Sequence, residues 1–140
     1  MMKKITFLSI TLLLLGLGHG YSQKSKKLEG GWKMVYSKWE MPDTVVEVSQ
    51  FEKPSYKIFT GKYFTLSRLD ENDEFIGHFG KYSYDGKTYT EHIEYSSYEY
   101  VIGKTEIFKS TIKGNKWTIE GKIGKEGEGF KLREEWERIE

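Results

Sequence analysis

The sequence predicts an all-β fold, an eight-stranded antiparallel up-and-down barrel. Apolar and polar residues alternate with a period of two along eight short segments, and no helix-length pattern follows the N-terminal region. Short turns rich in glycine, aspartate and asparagine separate most of these segments. Aromatic residues make up 16% of the chain, which has 15 Gly and only 2 Pro, a composition that favours strands over helices. Eight strands can close into a barrel that fills with side chains or holds one small ligand.

The N-terminal 22 residues have the pattern of a signal peptide. A basic start is followed by an apolar core over residues 5–17 and by small residues at Gly18-His19-Gly20. The apolar core is shorter than the roughly 20 residues that span a bilayer. We therefore expect an exported protein, periplasmic or secreted, with a polar lead-in over residues 23–29 and one barrel domain over residues 30–140. The alternative is an uncleaved anchor.

Composition excludes several classes of function. The 22 Lys and Arg nearly balance the 21 Asp and Glu, which argues against nucleic acid or acidic lipid bound by charge. The absence of cysteine excludes a disulfide scaffold and a cysteine zinc site. No phosphate-binding loop, dinucleotide fingerprint or nucleophile elbow occurs in the sequence. We expect a monomer with no cofactor, no metal and no transmembrane segment in the mature chain.

The first predicted strand, residues 31–39, places Trp32, Met34 and Tyr36 on one face. Residues 39–55 contain both prolines and one short alternating piece. We interpret this segment as a lid or loop with at most a short edge strand, because proline is poorly tolerated inside a sheet.

The middle of the chain reads as three further strands joined by turns. Residues 56–60 and 63–69 are separated by Gly61-Lys62, and residues 74–84 follow a polar turn. Glycines within a strand often mark bulges or bends, so we expect a kink at Gly77 or Gly80.

The Asp85-Gly86 pair is the strongest hairpin signal in the sequence. A strand is predicted at residues 87–95, followed by a connection at 96–103 that contains one helical turn and by a second strand at 104–113. The tight turn Gly114-Asn115 leads into a third strand at 116–123. A flexible loop at 124–129 precedes the last strand at 130–139.

The last predicted strand carries Phe130, Leu132, Glu134, Trp136 and Arg138 on one face. This face is mostly apolar but includes one carboxylate and ends in an arginine. We expect the strand to pair with the first one near Gly30-Gly31-Trp32, which would close the barrel and remove its exposed edges.

Both ends of the domain resemble the calycin superfamily. Gly30-Gly31-Trp32 is similar to the Gly-x-Trp region of lipocalins and fatty-acid-binding proteins, and Trp136-Glu137-Arg138 to the end of the last strand of fatty-acid-binding proteins. The resemblance implies that Trp32 packs under Arg138 and closes the base of the barrel. Residues 85–95, together with 134–138, also resemble small lipocalin-like domains of unknown function exported by Bacteroidetes-type bacteria.

Two carboxylates stand on otherwise apolar strand faces. Glu91 lies among Tyr89, Ile93 and Tyr95 in the alternation, and Glu134 lies between Leu132 and Trp136. A carboxylate inside a barrel is costly unless it is paired, and its pKa should rise. Each can anchor the polar end of a ligand, act in acid–base catalysis, or be a structural group satisfied by tyrosine hydroxyls, Arg68 or buried water.

The other candidates are an arginine, the histidines and the aromatic residues. Arg68 can face inward or lie at the rim, His78 can line the interior, and His92 is expected outside. The aromatic residues either fill a solid core or line an amphipathic cavity. The predicted lining residues are Met34, Tyr36, Phe64, Leu66, Arg68, His78, Tyr82, Tyr89, Glu91, Ile93, Tyr95, Phe108, Ser110, Trp117, Ile119, Glu134 and Trp136.

Three functional hypotheses follow. The first is an exported lipocalin-like barrel that binds a small hydrophobic or amphipathic ligand, entering opposite Trp32 and gated by residues 39–55. The second is a solid barrel that serves as a protein–protein or cell-surface interaction module, with an apolar patch around Val45, Val46 and Val48. The third, an enzyme that uses Glu91 and Glu134, is disfavoured, and no catalytic residue is assigned.

Overall fold

The computed structural model describes residues 24–124 and 129–139. The predicted signal peptide and most of the predicted loop at 124–129 lie outside the described residues. The described part is built from nine strands and two short 3-10 helices, Lys26–Leu28 and Glu99–Val101. The strands are β1 (Gly30–Glu40), β2 (Val45–Val48), β3 (Tyr56–Thr60), β4 (Tyr63–Leu69), β5 (Phe75–Tyr84), β6 (Thr88–Ser96), β7 (Thr105–Lys113), β8 (Lys116–Ile123) and β9 (Phe130–Arg138).

The strands form a closed antiparallel barrel. From β3 to β9 each strand pairs with the next, and β1 pairs with both β3 and β9. The first half of β1 faces β3, whereas its second half faces the short strand β2. The ring therefore has eight strands, with β2 as an added edge piece, and the all-β barrel prediction is confirmed. A helical turn between β6 and β7 is also confirmed.

Two irregularities change which residues face inward. The register of β1 against β9 shifts between Met34 and Tyr36, and that of β5 against β6 shifts between Phe79 and Gly80. A β-bulge inserts one residue and so reverses the alternation beyond it. At the second bulge a Cβ on Gly80 would lie only 1.9 Å from the backbone oxygen of His92, so this position requires glycine.

The bulges make two predicted orientations wrong. Tyr36 points outward, where its hydroxyl donates to Glu47 Oε1 at 2.9 Å in an exposed position. Tyr95 is 70% exposed and packs on the outer face against Phe79. Both lie beyond a register shift that the simple alternation of the sequence does not reveal, and Ser37 takes the inward position next to Tyr36.

The end of the barrel where β1 begins and β9 ends is closed by Trp32 and Arg138. Trp32 is fully buried, and its indole donates to the backbone oxygen of Leu28 at 2.8 Å. The guanidinium of Arg138 lies 4.2 Å from the centre of the Trp32 ring and donates to the backbone oxygens of Lys27 and Glu29, each at 2.6 Å. This confirms the pairing implied by the resemblance. We call this the closed end and its opposite the open end.

Aromatic side chains fill the closed half of the barrel around Trp117. Its ring lies 5.7 Å from that of Trp32, 5.3 Å from Phe59, 5.1 Å from Tyr89 and 5.7 Å from Trp136. Most of these contacts are edge-to-face, the favourable arrangement for aromatic quadrupoles. The closed half is therefore a packed core.

Replacing Arg138 with alanine should lower the free energy of unfolding by about 1–3 kcal/mol, because it removes charged hydrogen bonds and the contact with the indole. Arg133→Ala is the matched control. Arg133 is 44% exposed and pairs with Glu120 and Glu135, so its loss should cost about 0–1 kcal/mol. Urea unfolding measures both variants, and equal losses would contradict the closing role of Arg138.

Candidate functional site

A buried ion pair crosses the interior above the aromatic core. Alternation along β3 turns Lys57 and Phe59 inward, and Lys57 is only 4% exposed. Its ammonium donates to Glu91 Oε2 at 2.7 Å, and the hydroxyl of Tyr89 donates to the same oxygen at 2.6 Å. These two hydrogen bonds offset part of the hydration that the Glu91 carboxylate loses on burial.

The ammonium of Lys57 is also surrounded by aromatic rings. Four ring centres lie between 5.2 and 5.7 Å from its Nζ atom, and they belong to Phe64, Tyr89, Trp117 and Trp136. Ring faces attract a desolvated cation, so the ammonium is held by the core as well as by Glu91. Sequence reasoning missed Lys57. The signal was its position two residues before Phe59, on the same face of a strand.

Glu134 is a second buried carboxyl group beside this pair. It is 8% exposed, and its Oε2 atom accepts a hydrogen bond from the indole of Trp136 at 3.1 Å. Burial raises the pKa of Glu134 to about 7, and the charge on Glu91 adds to this effect, whereas Lys57 opposes it. The group therefore exchanges its proton near neutral pH. We call Lys57, Glu91 and Glu134 the polar layer.

Beyond the polar layer the inward positions differ in burial: Ile76, Ile93 and Leu132 are buried, whereas the polar and apolar side chains described next are half-buried. Leu66 and Arg68 continue the inward face of β4 toward the open end, and His78 lies opposite Leu66 on β5. The Nδ1 atom of His78 lies 2.8 Å from Ser96 Oγ, and burial lowers the pKa of His78. Glu106 lies opposite Glu91, and burial raises its pKa. These groups form the wall of the open half.

The predicted lining residues thus fall into three groups. Tyr36 and Tyr95 lie outside, as described above. Leu66, Arg68, His78, Glu91 and Glu134 surround the open half or its floor, and their role in binding stays a prediction. The remaining residues pack in the core, where the structure brings them together as filling: Met34, Phe64, Tyr82, Tyr89, Ile93, Phe108, Ser110, Trp117, Ile119 and Trp136.

Two connecting segments reach over the open end. Phe51, between β2 and β3, and Val101, between β6 and β7, are partly buried and pack against the core cluster. The predicted lid segment therefore contributes a side chain to the barrel. Four large apolar residues on or next to β1 and β2 remain exposed at the same end: Trp39, Met41, Val45 and Val46.

The outer wall carries a groove that is separate from the open half. It has a volume of about 290 Å³ and lies across β7, β8 and β9. Its lining is mainly basic and hydroxyl side chains: Lys109, Ser110, Thr111, Lys113, Lys116, Thr118, Glu120 and Arg133. Of these, only Ser110 is among the residues predicted to line the interior.

Within residues 24–124 and 129–139, no helix has the length and apolar character needed to cross a membrane. In the same part of the chain, no three histidine, aspartate or glutamate side chains come together as metal ligands would.

Comparison with known proteins identifies the fold but not a ligand. A family model described as "Domain of unknown function (DUF4488)" matches residues 27–140. A solved lipocalin-like protein from Bacteroides uniformis is 16% identical, with a TM-score of 0.52, and the match covers 80% of this chain and 98% of that one. An uncharacterized protein from Bacteroides eggerthii is 13% identical, with a TM-score of 0.50 and coverage of 80% and 99%. No curated protein matches the chain.

Glu134→Gln should stabilise the protein at alkaline pH. Because its pKa is raised in the folded state, the ionised group opposes folding, and this loss develops as pH rises from about 4.5 to about 7. Relative to wild type, the variant should gain up to about 3 kcal/mol of unfolding free energy above that range and little below it. Urea unfolding across pH measures the difference. Glu135→Gln, on the outer face of the same strand, is the control, and parallel wild-type and Glu134→Gln profiles would contradict the assignment.

Proposed function

The chain belongs to the family described as a domain of unknown function, DUF4488, and from the geometry of its barrel we propose that it is an exported protein that binds one small amphipathic molecule in its open half. One observation carries the proposal: inward polar groups lie directly above a filled aromatic core. The polar layer and the half-buried Arg68 and His78 give an otherwise apolar interior a polar floor and wall. Ligand sites are commonly apolar pockets with a few convergent polar groups.

The packing restricts the site to a shallow volume. Trp32, Trp117 and Trp136 have no exposed surface, so the closed half has no room for a ligand. In the proposed site, the polar layer would be the floor, and Leu66 and His78, which face each other across β4 and β5, would form part of the wall. A ligand would place its polar end on the floor and its apolar part toward the rim, where apolar side chains are exposed.

The segment between β2 and β3 is suited to gate this space. Phe51 lies in the connection between β2 and β3, which contains Pro54, and its side chain packs on the core. A ligand that entered here would displace the aromatic side chain of Phe51. Moving one side chain of a surface loop requires less reorganisation than breaking the backbone hydrogen bonds between two strands of the barrel. The gate would be residues 41–55, which is the predicted lid of residues 39–55 without the two residues that belong to β1.

Two further observations support the proposal. Eight-stranded barrels are large enough to hold one small ligand, and a lipocalin-like protein from Bacteroides uniformis has this fold. The signal-peptide pattern of residues 1–22 supports export, because a basic start precedes a short apolar core.

Leu66→Trp should abolish ligand binding, because a larger inward side chain would fill the open half. Ile58→Trp is the matched control, since Ile58 lies on the neighbouring strand β3, faces outward and is 49% exposed. Native mass spectrometry of protein purified from its source should show a bound small molecule in wild type and in Ile58→Trp but not in Leu66→Trp. A ligand retained equally by all three proteins would rule out the open half as the site.

A second candidate function, a protein–protein interaction module, is favoured by exposed apolar residues on the edge piece β2. Val45 is 59% exposed and Val46 is 43% exposed, beside the exposed Trp39 of β1. Exposed apolar patches on a soluble domain often mark an interaction surface.

The double variant Val45→Asp/Val46→Asp separates the two functions. If β2 is the functional surface, the variant should lose partners recovered by chemical crosslinking in the source organism and keep any small molecule seen by native mass spectrometry. If the open half is the functional site, crosslinked partners should be absent in wild type and variant alike.

A further inference from the structure

The inward-facing charged groups of the polar layer and the open half do not balance. Among the residues that the structure describes, Lys57 and Arg68 are the cations there, and Glu91, Glu106 and Glu134 are the carboxyl groups. Arg138 also faces inward, but it lies at the closed end against the Trp32 ring. His78 adds no charge near neutral pH, because burial lowers its pKa. This part of the interior therefore has a net charge of −1 when all three carboxyl groups are ionised.

Two carboxylate oxygens of the polar layer face accessible space without a partner. Both hydrogen bonds to Glu91 end on its Oε2 atom, and the one hydrogen bond to Glu134 also ends on Oε2. Every buried side-chain nitrogen and oxygen in the described ranges has a hydrogen-bond partner. Since the described residues offer the two Oε1 atoms none, these oxygens must be accessible. The floor of the open half is thus rich in hydrogen-bond acceptors.

The charged hydrogen-bond donors of the interior are either paired already or lie nearer the rim. Lys57 is held by Glu91 and enclosed by four aromatic rings. Arg68 lies higher on β4, near the rim, two inward positions beyond Phe64. An arriving polar group therefore meets unpaired acceptors at the floor rather than donors, which favours a ligand that donates hydrogen bonds and carries positive charge.

We propose that the ligand is a cationic amphiphile whose protonated amine binds Glu134, with an apolar chain that extends toward the open end. This inference rests on the ligand-binding function proposed above and specifies the chemistry of the ligand. The bound ammonium would give the polar layer and the open half equal numbers of cations and carboxylates, so the charge of Glu134 would gain a direct counter-ion.

One turn at the open end has the charge that such a ligand requires. The turn between β4 and β5 contains Asp70, Glu71 and Asp73, and Glu74 follows directly. Acidic groups around an entrance raise the local concentration of cations and repel anions. Lys53 pairs with Asp73 and neutralises only one of these four carboxylates.

The proposal predicts a pH dependence that belongs to Glu134. Lys57 on β3, Arg68 on β4, His78 on β5, Glu91 on β6 and Glu106 on β7 face the same space, whereas β1 and β8 place the uncharged Ser37 and Ile119 beside Glu134. Burial raises the pKa of Glu134 to about 7, so protonation below that pH removes the negative charge that binds the amine. The amine should bind more weakly as pH falls from about 8 to about 6, by about tenfold.

The test compares three ligands of equal chain length: decylamine, decanol and decanoate. Isothermal titration of the mature chain should show decylamine as the tightest of the three. Glu134→Gln should weaken decylamine roughly ten- to a hundredfold, as expected on removal of a hydrogen bond to a buried charge, and should weaken the uncharged decanol much less. It should also flatten the pH dependence of decylamine binding. Glu135→Gln removes the same charge from the outer face and should change neither ligand.

The outcomes separate this inference from the function on which it rests. Tightest binding of decanoate or decanol, or full affinity of Glu134→Gln for decylamine, would overturn the amine site and leave a ligand-binding barrel. Binding of none of the three by wild type would overturn the amine site. If native mass spectrometry of source-purified protein also found no small molecule, the proposed function would fail as well.

Discussion

The pairing of β1 with β9 is the constraint on which the rest of the structure depends. It joins strands more than 90 residues apart in the chain and turns a sheet with two free edges into a ring. Arg138 fixes the join by binding the Trp32 ring and two backbone oxygens of the lead-in. Because this end is sealed and filled, every interior group with access to solvent must be reached from the other end.

The polar layer explains how one barrel combines a solid core with a candidate site. A fully apolar interior would be more stable, since desolvating charges is costly. Lys57 offsets part of that cost through Glu91 and the surrounding rings, but burial still raises the pKa of Glu134, which has no direct ion pair with Lys57. A buried carboxyl group with a raised pKa is often part of a functional site.

Much of the fold was predictable because local signals agreed with the closed topology. Asp85-Gly86 predicted a hairpin, and the structure shows why: Asp85 accepts hydrogen bonds from two backbone amides, and Gly86 has a φ of 99°. Trp32 and Arg138 were predicted to meet, and they do. The predicted inward orientations of Tyr36 and Tyr95 were wrong, because a bulge in each strand shifts which residues face inward and leaves no clear signal in the sequence. Lys57 was missed because a lone lysine on a short strand usually faces solvent.

Amide hydrogen exchange along β9, followed by NMR, tests the central claim most directly. In a closed ring, successive amides of residues 131–138 point alternately to β8 and to β1, so all of them should exchange slowly. If β9 were a free edge, every second amide would face solvent and exchange fast. Uniform protection is the result the account predicts, and alternating protection would contradict ring closure.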